Sequence, residues 1–70
     1  MYFVVNVTHS ASGYAKECFD FSTIDAAKAN HHYFLTSCYS NANLDYFMSV
    51  ILDIDGNVIS REVFHREAGE

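Results

Sequence analysis

The side chains best suited to chemistry in this chain are four histidines, two cysteines, and small groups of acids and arginines. His31 and Cys38 lie seven residues apart, two helical turns, and so share a helix face. His32 adjoins His31. A zinc site needs four protein ligands, or three and a water. The third here must come from Cys18, His9 or His65, and no spacing demands it. His31 therefore reads as a partly buried histidine with its hydrogen bonds satisfied. Cys38 falls at a helix C-terminus, where the dipole raises a thiol pKa. A catalytic cysteine wants the opposite environment, so both cysteines read as structural and free. The run Asp53-Ile54-Asp55-Gly56-Asn57-Val58, followed by Glu62, resembles part of a calcium loop. With Gly56 at loop position six, however, position one is Ile51, which cannot ligate. Asp55-Gly56 is instead a strong hairpin signal. There is no glycine-rich phosphate loop and no nucleophile elbow. The expectation is a non-enzyme without metal or cofactor.

Arg61, His65 and Arg66 form a basic group near the end of the chain. A hairpin places them close to Tyr46 and Phe64. Such a set can hold a phosphate with aromatic stacking, which makes Arg61, His65, Arg66 and Tyr46 the alternative ligand site, for instance in a dimeric sponge for a nucleotide signal. The competing reading is cross-strand pairing of Arg61 with Glu62, Glu67 or Asp45.

The elements that must position these groups follow from periodicity. Residues 2–8 alternate as a first strand, and the loop His9-Ser10-Ala11-Ser12-Gly13 turns the chain into a second at 14–21. Polar residues on both faces of that strand suit a sheet edge. Ser22 is placed to cap a helix over 23–38, with Asp25 in the capping-box position. Ile24, Ala27, His31, Phe34, Leu35 and Cys38 share one face of it. Asn41 and Asn43 are suited to a left-handed helix exit. A long strand at 44–54 carries the apolar face Leu44, Tyr46, Met48, Val50, Leu52 and Ile54. Its other face holds Phe47 and Ile51 between Asp45, Ser49 and Asp53. A fourth strand follows at 57–65, and Arg66 to Glu70 reads as a frayed end. A two-residue turn at Asp55-Gly56 pairs Leu52 with Ile59 and Met48 with Val63; a bulge at Gly56 puts Ile51 opposite Ile59. The fold class is α+β, ββαββ, one domain over residues 1–70: an antiparallel sheet of about four strands with one helix on one face.

Seventy residues bury only about 60% of the unfolded surface, so such a chain is marginal alone. Two cysteines make no disulfide framework. Half the residues are apolar, which argues against disorder. No apolar run approaches the roughly 20 residues of a membrane span, and the first residues lack a signal-peptide pattern. The expected location is the reducing cytoplasm. A net charge of −5 repels phosphate backbones and argues against nucleic-acid binding, while suiting a basic protein partner.

One helix covers one sheet face, and both faces carry large apolar residues. The expectation is that the helix-free face keeps Phe47 and Ile51, with Val4 or Phe3 and one of Phe64 or Val63, and buries them against a second copy or another partner, a homodimer being the commonest solution. Tyr33, on the outer side of the helix, is a further candidate contact. Asp45, Asp53, Asp55 and Glu62 are candidate polar contacts to a protein partner.

The helix AAKANHHYFLTSCYSN, the following NANLDYFMSVILD and the closing DGNVISREVFHRE resemble small proteins carried by phages and mobile elements of gut Firmicutes. The resemblance spans Ala26 to Glu67. It implies a short phage-derived protein acting in the host cytoplasm, by stoichiometric binding that inhibits a CRISPR-like or other defence enzyme. It assigns no residue a role.

Overall fold

The computed structural model describes residues 1–66. The element order is β1 (Tyr2–Ser10), β2 (Gly13–Phe21), α1 (Ile24–Tyr39), β3 (Tyr46–Asp53) and β4 (Val58–His65). The strands form one sheet in the order β2-β1-β3-β4, and every neighbouring pair is antiparallel. This is the expected α+β, ββαββ arrangement. β1 and β3 are central; β2 and β4 are edges.

Each boundary has a local cause. Thr23, not Ser22, caps α1. Its backbone is extended (φ −126°), and its Oγ1 accepts from the Ala26 N–H at 3.2 Å. A β-branched residue favours that extended conformation more than serine does. Asp25 consequently falls outside the capping-box position but stays in the first turn, where the helix dipole favours its charge. Thr23→Ala should cost about 1 kcal/mol, lowering Tm by about 4–8 °C for a domain of this size. Ser22→Ala should stay within about 0.5 kcal/mol. Thermal melts of the two variants check this; equal losses would remove Thr23 as the cap.

The helix exit also differs from expectation. Ser40 is right-handed (φ −83°). Among the described residues only Gly13 (φ +105°) and Gly56 (φ +86°) have positive φ. Asn41 and Asn43 therefore are not left-handed. The Ser40 hydroxyl donates to Thr36 O at 3.1 Å, the Asn41 N–H donates to Cys38 O at 3.0 Å, and Asn41 Oδ1 accepts from the Asn43 N–H at 3.0 Å. Side-chain and backbone bonds thus meet the last carbonyls without a left-handed residue.

Asp53 organises the β3–β4 turn. Its carboxylate accepts from the backbone N–H of Asp55 (2.9 Å) and Asn57 (2.8 Å) and from Asn57 Nδ2 (3.0 Å). These bonds, led by Asn57, hold its carboxyl below the usual range. The calcium-like acids form a turn. The register follows neither expected scheme throughout. Met48 opposes Val63 as expected, but Ile51 opposes Ser60 and Leu52 opposes Val58. Ile59 is the extra residue of a bulge. Of the end expected to fray, 67–70 lie outside the described residues. Arg66 is held: its N–H donates to Asp45 O at 2.7 Å.

The core lies between α1 and one face of the sheet. Ala27 packs with Val4 and Ile51. Leu35 and Cys38 pack with Phe47, and Phe34, Leu44 and Phe64 close around them. The expected helix stripe is the buried one: Ala27, His31, Leu35 and Cys38 are its buried residues. The sheet face it covers is the reverse of the one expected. Phe47 (1% exposed) and Ile51 (0%) are core residues beneath α1, and Phe64 packs against Phe47. They do not form a free interface.

Candidate functional site

Polar matching explains which face α1 covers. His31, in the middle of the buried stripe, needs hydrogen-bond partners. The sheet face bearing Phe47 and Ile51 also bears Ser49 and Asn6, both buried. Ser49 Oγ donates to Asn6 Oδ1 at 2.6 Å. Having given its proton away, Ser49 accepts from Nδ1–H of His31 at 2.7 Å. That tautomer leaves Nε2 to accept from the Ser60 hydroxyl at 3.3 Å. Asn6 Nδ2 continues the chain to Asn30 Oδ1 at 3.4 Å. No buried polar side-chain atom among the described residues lacks a partner. Burial pushes the His31 imidazole below its ordinary value, and His32 adds to the effect while Glu62 opposes it. Ser49 and His31 face each other as a nucleophile and base would, but Ser49 is wholly buried. The network ties helix to sheet.

The cysteines behave similarly. Cys18 is exposed on the edge strand and Cys38 is buried, and burial raises the Cys38 thiol pKa. The described residues contain no group of three or more histidines, cysteines or acids placed to hold a metal. An open cleft of about 420 Å³ between the β1–β2 turn and the α1–β3 loop is lined by Ser10, Ala11, Ser12, Asn41, Asn43 and Leu44. It holds no acid, base or thiol.

The largest uncommitted surface is the helix-free face of the sheet. Residues directly opposite in antiparallel strands share a face, so the pairings lay it out as rows across β2, β1, β3 and β4. Lys16, Val7, Met48 and Val63 form one row; Cys18, Val5, Val50 and Arg61 form the next. Asp20, Phe3, Leu52 and Val58 form the row toward the β3–β4 turn. At the opposite end lie Tyr14, His9, Tyr46 and His65. Six apolar side chains on the two central strands, Phe3, Val5, Val7, Met48, Val50 and Leu52, thus make one continuous block. Val63 (43% exposed) and Val58 (56%) extend it onto β4. No element of the described chain packs on this face. Its charges, Asp20, Lys16 and Arg61, lie on the two edge strands.

The candidate ligand site comes apart in three dimensions. His65 opposes Tyr46 with ring centroids 4.9 Å apart, and Arg61 is on the same face four residues away along β4. Arg66 turns elsewhere. Its Nη1 donates to Ala42 O and Leu44 O, both at 2.9 Å, and its guanidinium lies 5.3 Å from the Phe64 ring centre. The acids proposed as polar contacts are mostly engaged within the chain. Asp45 binds His9 Nδ1 at 2.6 Å, Asp53 holds its turn, and Glu62 accepts from the Tyr39 hydroxyl at 2.7 Å. The last bond raises the Tyr39 pKa. Tyr33 is 76% exposed, on the far side of α1 from the sheet. The helix-free face instead carries Phe3, Val5, Val7, Met48, Val50 and Leu52; of these the expectation had included only Phe3, as the alternative to Val4. Their signal was present: the Leu44 to Ile54 alternation is the more apolar face of β3.

No helix among the described residues is long and apolar enough to cross a membrane. Comparison with family models, curated proteins and solved structures gave no match.

Proposed function

We propose that this chain is a non-catalytic protein-binding domain that acts stoichiometrically through the helix-free face of its sheet. The observation carrying this reading is the six-residue apolar block on β1 and β3, flanked by charges only at the sheet edges. A patch of that kind, apolar within and polar at the rim, has the anatomy of a protein interface. Cores of small domains are normally closed on both sides of a sheet or polar on the open side. The nucleotide-sponge alternative loses its third cation to Ala42 and Leu44. Inhibition of a host defence enzyme is the form of binding that the resemblance to phage and mobile-element proteins implies.

The test is a paired variant, Val7→Glu with Val63→Glu. The first carboxylate sits opposite Lys16 and the second is at an edge-strand position 43% exposed, so the strands stay paired. The expected result is a native far-UV spectrum and at least about a tenfold loss of protein retained on the immobilised chain, consistent with placing charges in a desolvated contact. Equal retention by wild type and variant overturns this reading.

A further inference from the structure

We propose that the exposed edge of β2 pairs antiparallel with the β2 edge of a second copy, joining the two sheets into one about a two-fold axis through Cys18. The contact uses the edge of the sheet and leaves its helix-free face open. It therefore goes beyond the binding role proposed above and does not rest on it.

The two edges of the sheet differ. β2 pairs with β1 without interruption from Gly13 to Phe21, and Tyr14 to Asp20 are all exposed. Among the described residues β2 has no other strand neighbour, so the outward N–H and C=O groups of its alternate residues are open to a further strand. The chain has no proline to blunt that edge. β4, at the other edge, carries the Ile59 bulge, a device that discourages edge pairing. A long, regular edge such as β2 is a template for strand addition.

The order of residues along β2 then selects the added strand. In a two-fold contact the strand must be complementary to itself. Hydrogen-bonded residues face hydrogen-bonded residues in an antiparallel pair, so the axis falls on a residue and not between two. Centred on Cys18, Lys16 of each copy stands opposite Asp20 of the other, which makes two opposite-charge pairs on the helix-free side. On the helix side Glu17 stands opposite Phe19, whose side chain is open in the single chain at 37% exposure, and Ala15 opposite Phe21. The two Glu17 carboxylates sit diagonally across the axis, about 7–8 Å apart. Centres on Lys16, Glu17 or Asp20 put like charges directly opposite, which is destabilising. Centres on Ala15 or Phe19 pair a shorter part of β2 and separate Lys16 from Asp20. The axis is perpendicular to the sheet, so both helices lie on one side and both open faces on the other.

Sedimentation of the full chain across roughly 5–500 μM, the range suited to a small interface, tests this with Lys16→Asp, Asp20→Lys and the double exchange. Both positions are exposed. The wild type should pass from monomer to dimer. Lys16→Asp sets carboxylate against carboxylate and Asp20→Lys sets ammonium against ammonium, and each should weaken association about tenfold because symmetry repeats the contact. The double exchange should restore it. Cys18 gives a second readout. Its thiol meets its own copy with Cα atoms about 4.5–5.5 Å apart, inside the disulfide range, whereas Cys38 is buried. Diamide, which takes up the two electrons and two protons of a thiol pair, should link wild type and double exchange faster than either single variant, and should not link Cys18→Ser. A wild type that stays monomeric throughout, single variants that associate normally, a double exchange no better than the singles, or equal linking rates in all four chains each overturn the proposal. These variants leave Phe3, Val5, Val7, Met48, Val50 and Leu52 in place, so retention of another protein on that face stands or falls separately from this dimer.

Discussion

Phe47→Ala should destabilise the fold by about 3–5 kcal/mol, the range for truncating a fully buried aromatic side chain. That is a large share of the total for a domain whose stability is of order 0.1 kcal/mol per residue. Phe47 is 1% exposed. It meets Tyr39 edge-on at 4.8 Å, stacks on Phe64 at 4.9 Å, and lies against Leu35 and Cys38. Removing its ring leaves a cavity between α1 and the sheet that none of these neighbours can fill without moving backbone. Met48→Ala, one residue on, removes a half-buried side chain from the open face and should cost about 1 kcal/mol. Urea unfolding at low protein concentration reads both costs. Equal losses would mean that α1 does not cover the Phe47 face.

That contrast also marks where the sequence was legible and where it was not. Element order and type, the edge position of β2 and the buried stripe of α1 all follow from periodicity and turn residues. The covered face does not follow from apolar content. By hydrophobicity alone, Tyr46, Met48, Val50 and Leu52 should lie beneath the helix, and they lie away from it. The deciding residue is His31. A buried imidazole must find partners, and of the two faces of β3 only one offers a hydroxyl beneath the middle of the helix, at Ser49, while the other has its hydroxyl at the strand end, on Tyr46; Asn6 on β1 stands beside Ser49. The cost of an unmatched polar group outweighed the extra apolar area of the other face. The information was in the sequence, but it lay in pairs of residues on different elements and not in any one periodic pattern.

The same distinction explains the smaller differences. The β3–β4 register depended on Asp53 bonding forward to Asp55 and Asn57, and on a bulge at Ile59, neither of which hydrophobic alternation reports. The basic group separated because Arg61 and His65 share strand parity, whereas Arg66 follows the last strand residue and is captured by carbonyls of the α1–β3 loop. Charge clusters along a strand are divided by its two-residue period.

Ser49→Ala is expected to cost about 2–4 kcal/mol, although it removes a single oxygen. It leaves Nδ1–H of His31 and Oδ1 of Asn6 facing each other's empty partner site in the interior, and each unsatisfied buried group costs about 1–3 kcal/mol. The same network makes stability depend on pH. Burial holds the folded His31 pKa below its ordinary value of 6.5, so in acid the unfolded chain takes up a proton first. Between the two pKa values the unfolded state binds more protons, and stability rises with pH there. The His31 contribution is complete above pH 6.5 and is lost as pH falls toward and through the folded value, at up to about 1.4 kcal/mol per pH unit. Protonation also forces Nε2 to donate where it now accepts from Ser60. His31→Leu should be destabilised at pH 8 yet lose this slope, since its buried position no longer titrates. Urea midpoints from pH 5 to 8 decide the matter: a wild-type midpoint flat below pH 6.5, or a slope unchanged in His31→Leu, would show that His31 is not the group that couples this fold to acid.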